Sequence, residues 1–376
     1  MPTPLTVTIA PDSFKGTLSA DDAAQAIAAG WRVERPGDTL LLTPMADGGE
    51  GSLDAIARAT EGARRVPVSV QGPDDRPVAA EWLFLPDSAG GGIGVVELAN
   101  TSGITLLNPL RPLDAHTRGF GQAIVAALDG GVTRLVLAIG GSSSTDGGTG
   151  LLVALGARFL DASGGPVAPG GGGLAALDRA DLSGLRPPPV GGVSVLSDVT
   201  HPLLGASGAA VVFGPQKGAD PHAVRELDHN LARLAAALGG DPTEPGTGAA
   251  GGAGYGLRAW GAVLTPGAAA VGEIVGLPRR IAASDVVITG EGRFDQQSLG
   301  GKVPSYVRAC AAHGSARTCL MAGTVEWVGA AKGNAGTGFD EVYSLSELAG
   351  SVESAMRDPA GWLSYAGRHL ARQYRV

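Results

Sequence analysis

Four lysines stand against twenty-four arginines in this 376-residue chain, and three of the four sit in glycine-rich segments expected at strand ends. They are Lys15 in Pro11-Asp12-Ser13-Phe14-Lys15-Gly16, Lys217 in Gly214-Pro215-Gln216-Lys217-Gly218, and Lys302 in Gly300-Gly301-Lys302-Val303-Pro304. A chain that otherwise takes its positive charge from arginine keeps lysine where a compact ammonium does what a planar guanidinium cannot. Point cations beside glycine backbones suit the handling of phosphate. Lys332 lies outside every motif and serves as the contrast.

Five expected strand ends carry an acid or a hydroxyl, four of them together with glycine. They are Pro11 to Gly16, Ala46-Asp47-Gly48-Gly49-Glu50-Gly51, Gly140 to Gly148, Ser197-Asp198-Val199-Thr200-His201-Pro202, and Gly290-Glu291-Gly292-Arg293-Phe294-Asp295. In open parallel sheets the carboxyl ends of strands form the ligand crevice, so five such ends point to a shared site. The serine-rich segment is the best candidate for nucleotide phosphate. Gly140, Gly141, Gly147 and Gly148 free backbone N–H groups, Ser142, Ser143 and Ser144 add donors, and a helix is expected to start behind them. Gly251 and Gly252, in the run 248–256, read equally well as a second phosphate-receiving backbone or as a packing seam of small residues.

Carboxylates at strand ends hold Mg²⁺ or accept a proton from a substrate hydroxyl. Asp198, after a buried strand, is the first choice for the base; Asp295 and Asp47 compete for that role or for the metal. No Walker A loop, no Gly-x-Gly-x-x-Gly after the first strand, no Gly-x-Ser-x-Gly elbow, no His-Glu-x-x-His and no Cys-x-x-Cys is present. Phosphate loops, acids and point-charge lysines together are what phosphoryl transfer to a small molecule requires.

The elements that must position these residues read as α/β. Short β-branched runs alternate with helical patterns, as in largely parallel sheets. Strands are expected at Thr6 to Ala10, Thr39 to Leu42, Leu135 to Ile139, Val193 to Leu196, Ala209 to Phe213, Asp285 to Thr289, Thr318 to Met321 and Glu341 to Leu345. Helices are expected after a Ser19/Asp22 capping box, and at Leu53 to Ala59, Arg118 to Leu128, Leu151 to Phe159, His222 to Leu238, Ala250 to Val263, Ser305 to Ala312 and Trp362 to Tyr374. From Arg65 to Leu98 the pattern changes to an antiparallel meander, and 161–189 reads as a Gly/Pro-rich surface loop. The expected architecture is a doubly wound, Rossmann- or flavodoxin-like parallel-sheet domain formed by 1–70 and 282–376. A second α/β domain with a mixed sheet, 71–281, is inserted, and the active site is expected in the cleft between them.

Composition narrows the classes. The length exceeds what one core usually supports, and 44% hydrophobic with 17% charged residues is globular. A net charge of −8 argues against nucleic acid. No apolar stretch approaches the ~20 residues of a membrane span, and no secretory signal is visible, so a cytoplasmic location is expected. Cys310 and Cys319 are too few for a disulfide framework and read as small core residues.

Read together, Ile9 to Lys15, Ala46 to Gly51, Ile139 to Ser142, Phe213 to Ala219 and Thr289 to Asp295 resemble the bacterial glycerate kinases of the class that makes 2-phosphoglycerate. The resemblance runs in consistent order from residue 5 to about 345. It implies ATP and Mg²⁺, D-glycerate as acceptor, and two α/β domains with the middle one inserted. Thr145 and His201 stand where that family usually has asparagine, so a related small hydroxy acid, or phosphorylation at the 3-hydroxyl, stays open. So does a non-catalytic sugar-acid-binding regulator that retained the cleft; a dehydrogenase is disfavoured by the missing dinucleotide fingerprint. The expected catalytic residues are Asp198, Lys15 and Asp295, with Asp47, Asp198 and Asp295 at the metal. Asp12, Ser13, Asn100, Ser102 and Arg293 are expected at the substrate; Gly140, Gly141, Ser142, Ser143, Gly147, Gly148, Lys217, Gly251, Gly252 and Lys302 at the nucleotide. The expected partners are D-glycerate and ATP, with neither nucleic acid nor membrane, and a homodimer is left open.

Overall fold

The computed structural model describes residues 3–87, 91–296, 298–326 and 337–374; Lys332 lies outside the described residues. Among the described residues thirteen strands are formed. The first six are β1 (Thr6–Pro11), β2 (Thr39–Leu42), β3 (Arg64–Gln71), β4 (Pro77–Pro86), β5 (Gly92–Glu97) and β6 (Arg134–Ala138). Then come β7 (Arg158–Leu160), β8 (Arg179–Asp181), β9 (Val193–Leu196), β10 (Val263–Thr265), β11 (Val286–Phe294), β12 (Arg317–Val325) and β13 (Glu341–Ser344). The chain separates into two compact units: unit 1 is 1–47, 54–60 and 266–376, and unit 2 is 48–53 and 61–265.

Unit 1 is built on a five-stranded sheet in the order β13-β12-β11-β1-β2, parallel throughout. Its central strands are apolar on both faces: Val7, Ile9, Val286, Ile288 and Met321 are buried on one, Ala10, Val287, Leu320 and Ala322 on the other, as parallel strands covered on both sides require. The helix Ala20–Glu34 starts where Ser19 Oγ accepts the Asp22 N–H as N-cap; of the expected capping box, the Asp22 carboxylate accepts from the Ser19 hydroxyl. It buries Ile27 and Trp31 in one cluster with Leu363 and Leu370 of the helix Pro359–Arg372.

Unit 2 carries a six-stranded mixed sheet, β10-β9-β6-β5-β4-β3. The meander β3-β4-β5 is antiparallel, as the alternating pattern predicts, and β5, β6, β9 and β10 are parallel. Its core gathers Phe120, Ile124, Leu135, Leu137, Leu151, Val195, Leu227 and Leu231.

Four local expectations are corrected. Ala209–Phe213 is a helix, in which Ala209 and Ala210 are buried while Val211 and Val212 stay partly exposed; the β-branched pair is outvoted by packing. The helix expected at 151–159 runs only Thr149–Ala154. Gly156, at φ 106° and pressed against the Gly184 carbonyl, turns the chain into β7, where Phe159 sits. The helix expected at 250–263 is limited to Ala253–Ala259, and Val263 opens β10. Finally, β11 does not end at Thr289. Gly290 to Phe294 continue the strand, with Glu291 opposite Ala322 and Arg293 opposite Thr324. The expected loop 161–189 also contains the helical turn Gly170–Gly173 and β8. Among the described residues no helix is long and apolar enough to cross a membrane.

Candidate active site

In unit 1 the carboxyl ends of β1, β11 and β12 open into a cavity of about 610 Å³. Beyond Pro11 the chain keeps its ladder, Asp12 N donating to Gly290 O at 2.8 Å. It then folds into a tight turn closed by Phe14 and Leu18, whose N–H and C=O groups pair at 2.9 and 3.0 Å. Lys15 stands on that turn with its side chain 73% exposed, and its Nζ is 3.7 Å from Asp47 Oδ2. Asp12, Ser13, Lys15, Asp47, Glu291, Arg293, Asp295 and Lys302 all line the cavity, with Phe14, Leu345, Val352 and Met356 forming an apolar wall. Asp12, Ser13, Lys15, Asp47, Arg293, Asp295 and Lys302 are thus brought together as their shared strand ends predict.

The electrostatics of this cavity are dominated by crowded, desolvated carboxylates. Burial, reinforced by the charge of Asp47, pushes the Asp12 carboxyl well above its usual range. Burial likewise holds Glu291 at about 7, against the lowering effects of the Ser298 hydroxyl and the Lys302 ammonium. The charge of Asp47, with Asp12 and Glu291 behind it, raises Lys15, which therefore stays an ammonium. Lys302 Nζ lies 3.9 Å from Glu291 Oε2, and Arg293 Nε lies 3.6 Å from Asp295 Oδ2 while its Nη2 reaches Glu326. Asp295 and Ser298 hold each other, Asp295 N donating to Ser298 Oγ and Ser298 N to Asp295 Oδ1. Glu291, given no role by the sequence reading, is 5% exposed, and its Oε1 has no hydrogen-bond partner among the described residues. Its motif was visible in the sequence; its isolation was not.

In unit 2 the serine-rich segment follows β6. Asp146, fully buried, is its anchor: Oδ2 accepts from Thr117 N, Thr117 Oγ1 and Gly150 N at 2.9, 2.8 and 3.1 Å, and Oδ1 accepts from Gly148 N and Ser144 Oγ. Lys217 ends the turn Pro215–Lys217, after a helix and not after a strand as expected. It is 2% exposed, and its Nζ donates to Ser142 Oγ at 2.8 Å and to the Ser144 carbonyl. Burial lowers this lysine to about 7, with the Asp146 charge opposing the fall. The serine hydroxyls thus turn inward: Ser143 Oγ and N both donate to Ser102 O. Ser102 Oγ in turn accepts from Phe120 N, and Asn100 Nδ2 donates to Glu81 O, so both are braces of this region.

In the run 248–256, Gly251 O accepts from Gly147 N, and Gly252 N donates to Gly248 O and Ala249 O, so part of its backbone serves the fold. A Cβ on Gly251, at φ 66°, would lie 2.0 Å from Ser144 O and 2.9 Å from Lys217 Nζ, so only glycine fits beside the lysine. Gly140 N donates to Gly48 O at 3.0 Å, tying the serine segment to the Ala46–Gly51 motif. Asp198 lies just past β9, and His201 Nδ1 is 3.0 Å from Ser207 O with its ring edge-on to Phe213. Among the described residues, no group of three or more His, Cys, Asp or Glu side chains is arranged to hold a metal by itself.

Comparison with known proteins bears on this arrangement directly. The model of the glycerate kinase family matches residues 7–375. A glycerate kinase of Halalkalibacterium halodurans is 40% identical over 378 residues, covering 97% of each chain. A glycerate 2-kinase of Escherichia coli is 40% identical over 375 residues, again covering 97% of each. The crystal structure of a protein assigned as glycerate kinase 2 of Salmonella typhimurium LT2 superposes with a TM-score of 0.80 at 36% identity, over 99% of this chain and 98% of that one. With the motifs, both sheets and the carboxylate-lined cavity with its three basic side chains in place, the chain belongs to the glycerate kinase family, enzymes that phosphorylate an alcohol group.

Proposed function

We propose that the protein transfers the γ-phosphoryl group of ATP to the 2-hydroxyl of D-glycerate, giving 2-phosphoglycerate. The observation that carries this reading is the cavity of unit 1, where Lys15, Arg293 and Lys302 stand among Asp12, Asp47, Glu291 and Asp295 at the ends of parallel strands. The relative named glycerate 2-kinase, 40% identical over nearly the whole chain, supports the 2-hydroxyl. In this reading the exposed ammonium of Lys15 and the guanidinium of Arg293 meet the anionic groups of the substrates, and their charge stabilises the transferring phosphoryl group.

Magnesium fits the donor set in one specific way. Hard carboxylate oxygens are present in excess of cations, and burial with mutual repulsion makes a further positive charge favourable. Yet these residues form no complete protein cage, which suits an ion that arrives on nucleotide phosphates and takes one or two carboxylates. In unit 1, Asp47 and Asp295 are the residues proposed to hold it; for Asp198, just past β9 in unit 2, a role toward magnesium is a separate proposal. When bound, it neutralises charge developing on the phosphate oxygens. In unit 2 the Lys217-braced serine segment, its shape set by Asp146, is proposed to receive nucleotide phosphate.

The experiment is glycerate-dependent ADP formation with ATP and Mg²⁺. Turnover supports the kinase; binding of glycerate and ATP without turnover would favour a regulator instead.

A further inference from the structure

We propose that Glu291 is a catalytic residue of this transfer: its Oε1 accepts the hydrogen bond of the acceptor's reacting hydroxyl, and its carboxylate takes the proton as the new bond forms. The inference rests on the functional reading above and deepens it, assigning to Glu291 the base role for which sequence reasoning favoured Asp198.

Three observations carry it. Glu291 belongs to the part of β11 that continues past Thr289, so ladder pairing with β12 fixes its backbone on a rigid strand. It lines the cavity, is 5% exposed, and its buried Oε1 has no hydrogen-bond partner among the described residues. A buried carboxylate oxygen with no donor costs about 1–3 kcal/mol or more, a cost relieved when a ligand supplies the hydrogen bond. The neighbouring carboxylates are already engaged: Asp12 Oδ1 accepts from Ser13 N at 2.6 Å, Asp47 faces Lys15, and Asp295 is held by Ser298 and Arg293.

The charges around Glu291 support the role. Lys302 and the Ser298 hydroxyl face it and lower its proton affinity. Asp295 and Asp47 raise it, and burial raises it most, so the group sits at about 7. Asp12 and Lys15 feel its charge across the same cavity. A base poised there exchanges its proton at neutral pH. In the step, the acceptor O–H bond breaks and its oxygen bonds to the γ-phosphorus of the nucleoside triphosphate. The bond from that phosphorus to the leaving nucleoside diphosphate breaks, and the proton remains on Glu291 until it passes to water.

The test compares wild type, Glu291→Gln and Glu291→Asp with D-glycerate, ATP and Mg²⁺ between pH 5.5 and 9, with a Mg²⁺ titration and a thermal melt. The expected wild-type kcat rises with pH through about 7 as the carboxylate deprotonates. Glu291→Gln should lower kcat by about a hundredfold or more and erase that limb, with KM for ATP and the half-saturating Mg²⁺ changed less than about threefold. Glu291→Asp should keep the limb at a reduced rate. A Gln variant that keeps its rate or its limb overturns the assignment, and so does a loss recovered by excess Mg²⁺, which would mark a metal ligand. Should the Gln variant not fold, the Asp variant decides: a retained limb supports the base, a lost limb overturns it. No wild-type turnover with D-glycerate refutes the functional reading and the assignment together.

Discussion

Asp146→Asn removes one charge and keeps the volume, and the structure fixes what that should cost. The native carboxylate accepts five hydrogen bonds in a fully buried setting: three on Oδ2 from Thr117 N, Thr117 Oγ1 and Gly150 N, two on Oδ1 from Gly148 N and Ser144 Oγ. An asparagine has one acceptor oxygen. Placed toward Thr117, it turns its NH₂ on the Gly148 N–H, leaving a buried donor without an acceptor at about 1–3 kcal/mol, while the other bonds weaken by ~1 kcal/mol each as they lose charge assistance. The desolvation regained offsets part of this, and a net loss of about 3–5 kcal/mol is expected. For a unit of this size that lowers the melting temperature by about 10 °C, read by calorimetry or circular dichroism. Asp161→Asn is the control, since Asp161 also accepts several bonds, from Ser163 N, Ser163 Oγ and Gly165 N, but in an exposed turn. It should move the melting temperature by less than about 2 °C. If Asp146→Asn melts within about 3 °C of wild type, Asp146 is not the anchor of the serine segment and the reasoning fails.

Lys217→Met tests the buried ammonium through pH. Burial holds the folded lysine at about 7, below its ordinary 10.5, so its contribution to stability is present above the unfolded value and lost as pH falls through the folded one. The unfolding free energy of the Met variant relative to wild type should therefore rise as pH is lowered from 10 to 7, by up to ~1.4 kcal/mol per pH unit, and level off below, with the melting temperature following; a flat difference would show a lysine that is charged and compensated throughout. Lys15→Arg should cut kcat at least about tenfold with the melting temperature nearly unchanged, because Lys15 is exposed and its value lies in a compact charge; wild-type kinetics in that variant would remove Lys15 from the reaction.

Much of this was legible in the sequence where local chemistry and fold agree. The N-cap at Ser19, the meander with its alternating valines, and the strand-end residues Asp12, Lys15, Asp47 and Arg293 all follow from spacing and turn chemistry. Legibility failed where long-range packing decides. Nothing local says that Gly290 to Phe294 stay in the sheet, because a Gly-x-Gly pair reads as a turn until β12 is there to pair with it. Nothing local says that the Ser143 hydroxyl is spent on Ser102, forty-one residues away in sequence, or that Lys217 is buried against Ser142 from seventy-five residues away. Donors that look available to phosphate in the sequence are in part the fold's own hydrogen bonds.

The central claim is the transfer itself and its position on the acceptor. Purified protein incubated with D-glycerate, ATP and Mg²⁺ and coupled to enolase, with phosphoglycerate mutase absent, reads that position directly, because enolase acts only on the 2-phosphate. Transfer to the 2-hydroxyl gives an immediate phosphoenolpyruvate signal that needs both D-glycerate and ATP. ADP formation without that signal, recovered only when mutase is added, would place the phosphate on the 3-hydroxyl and contradict it.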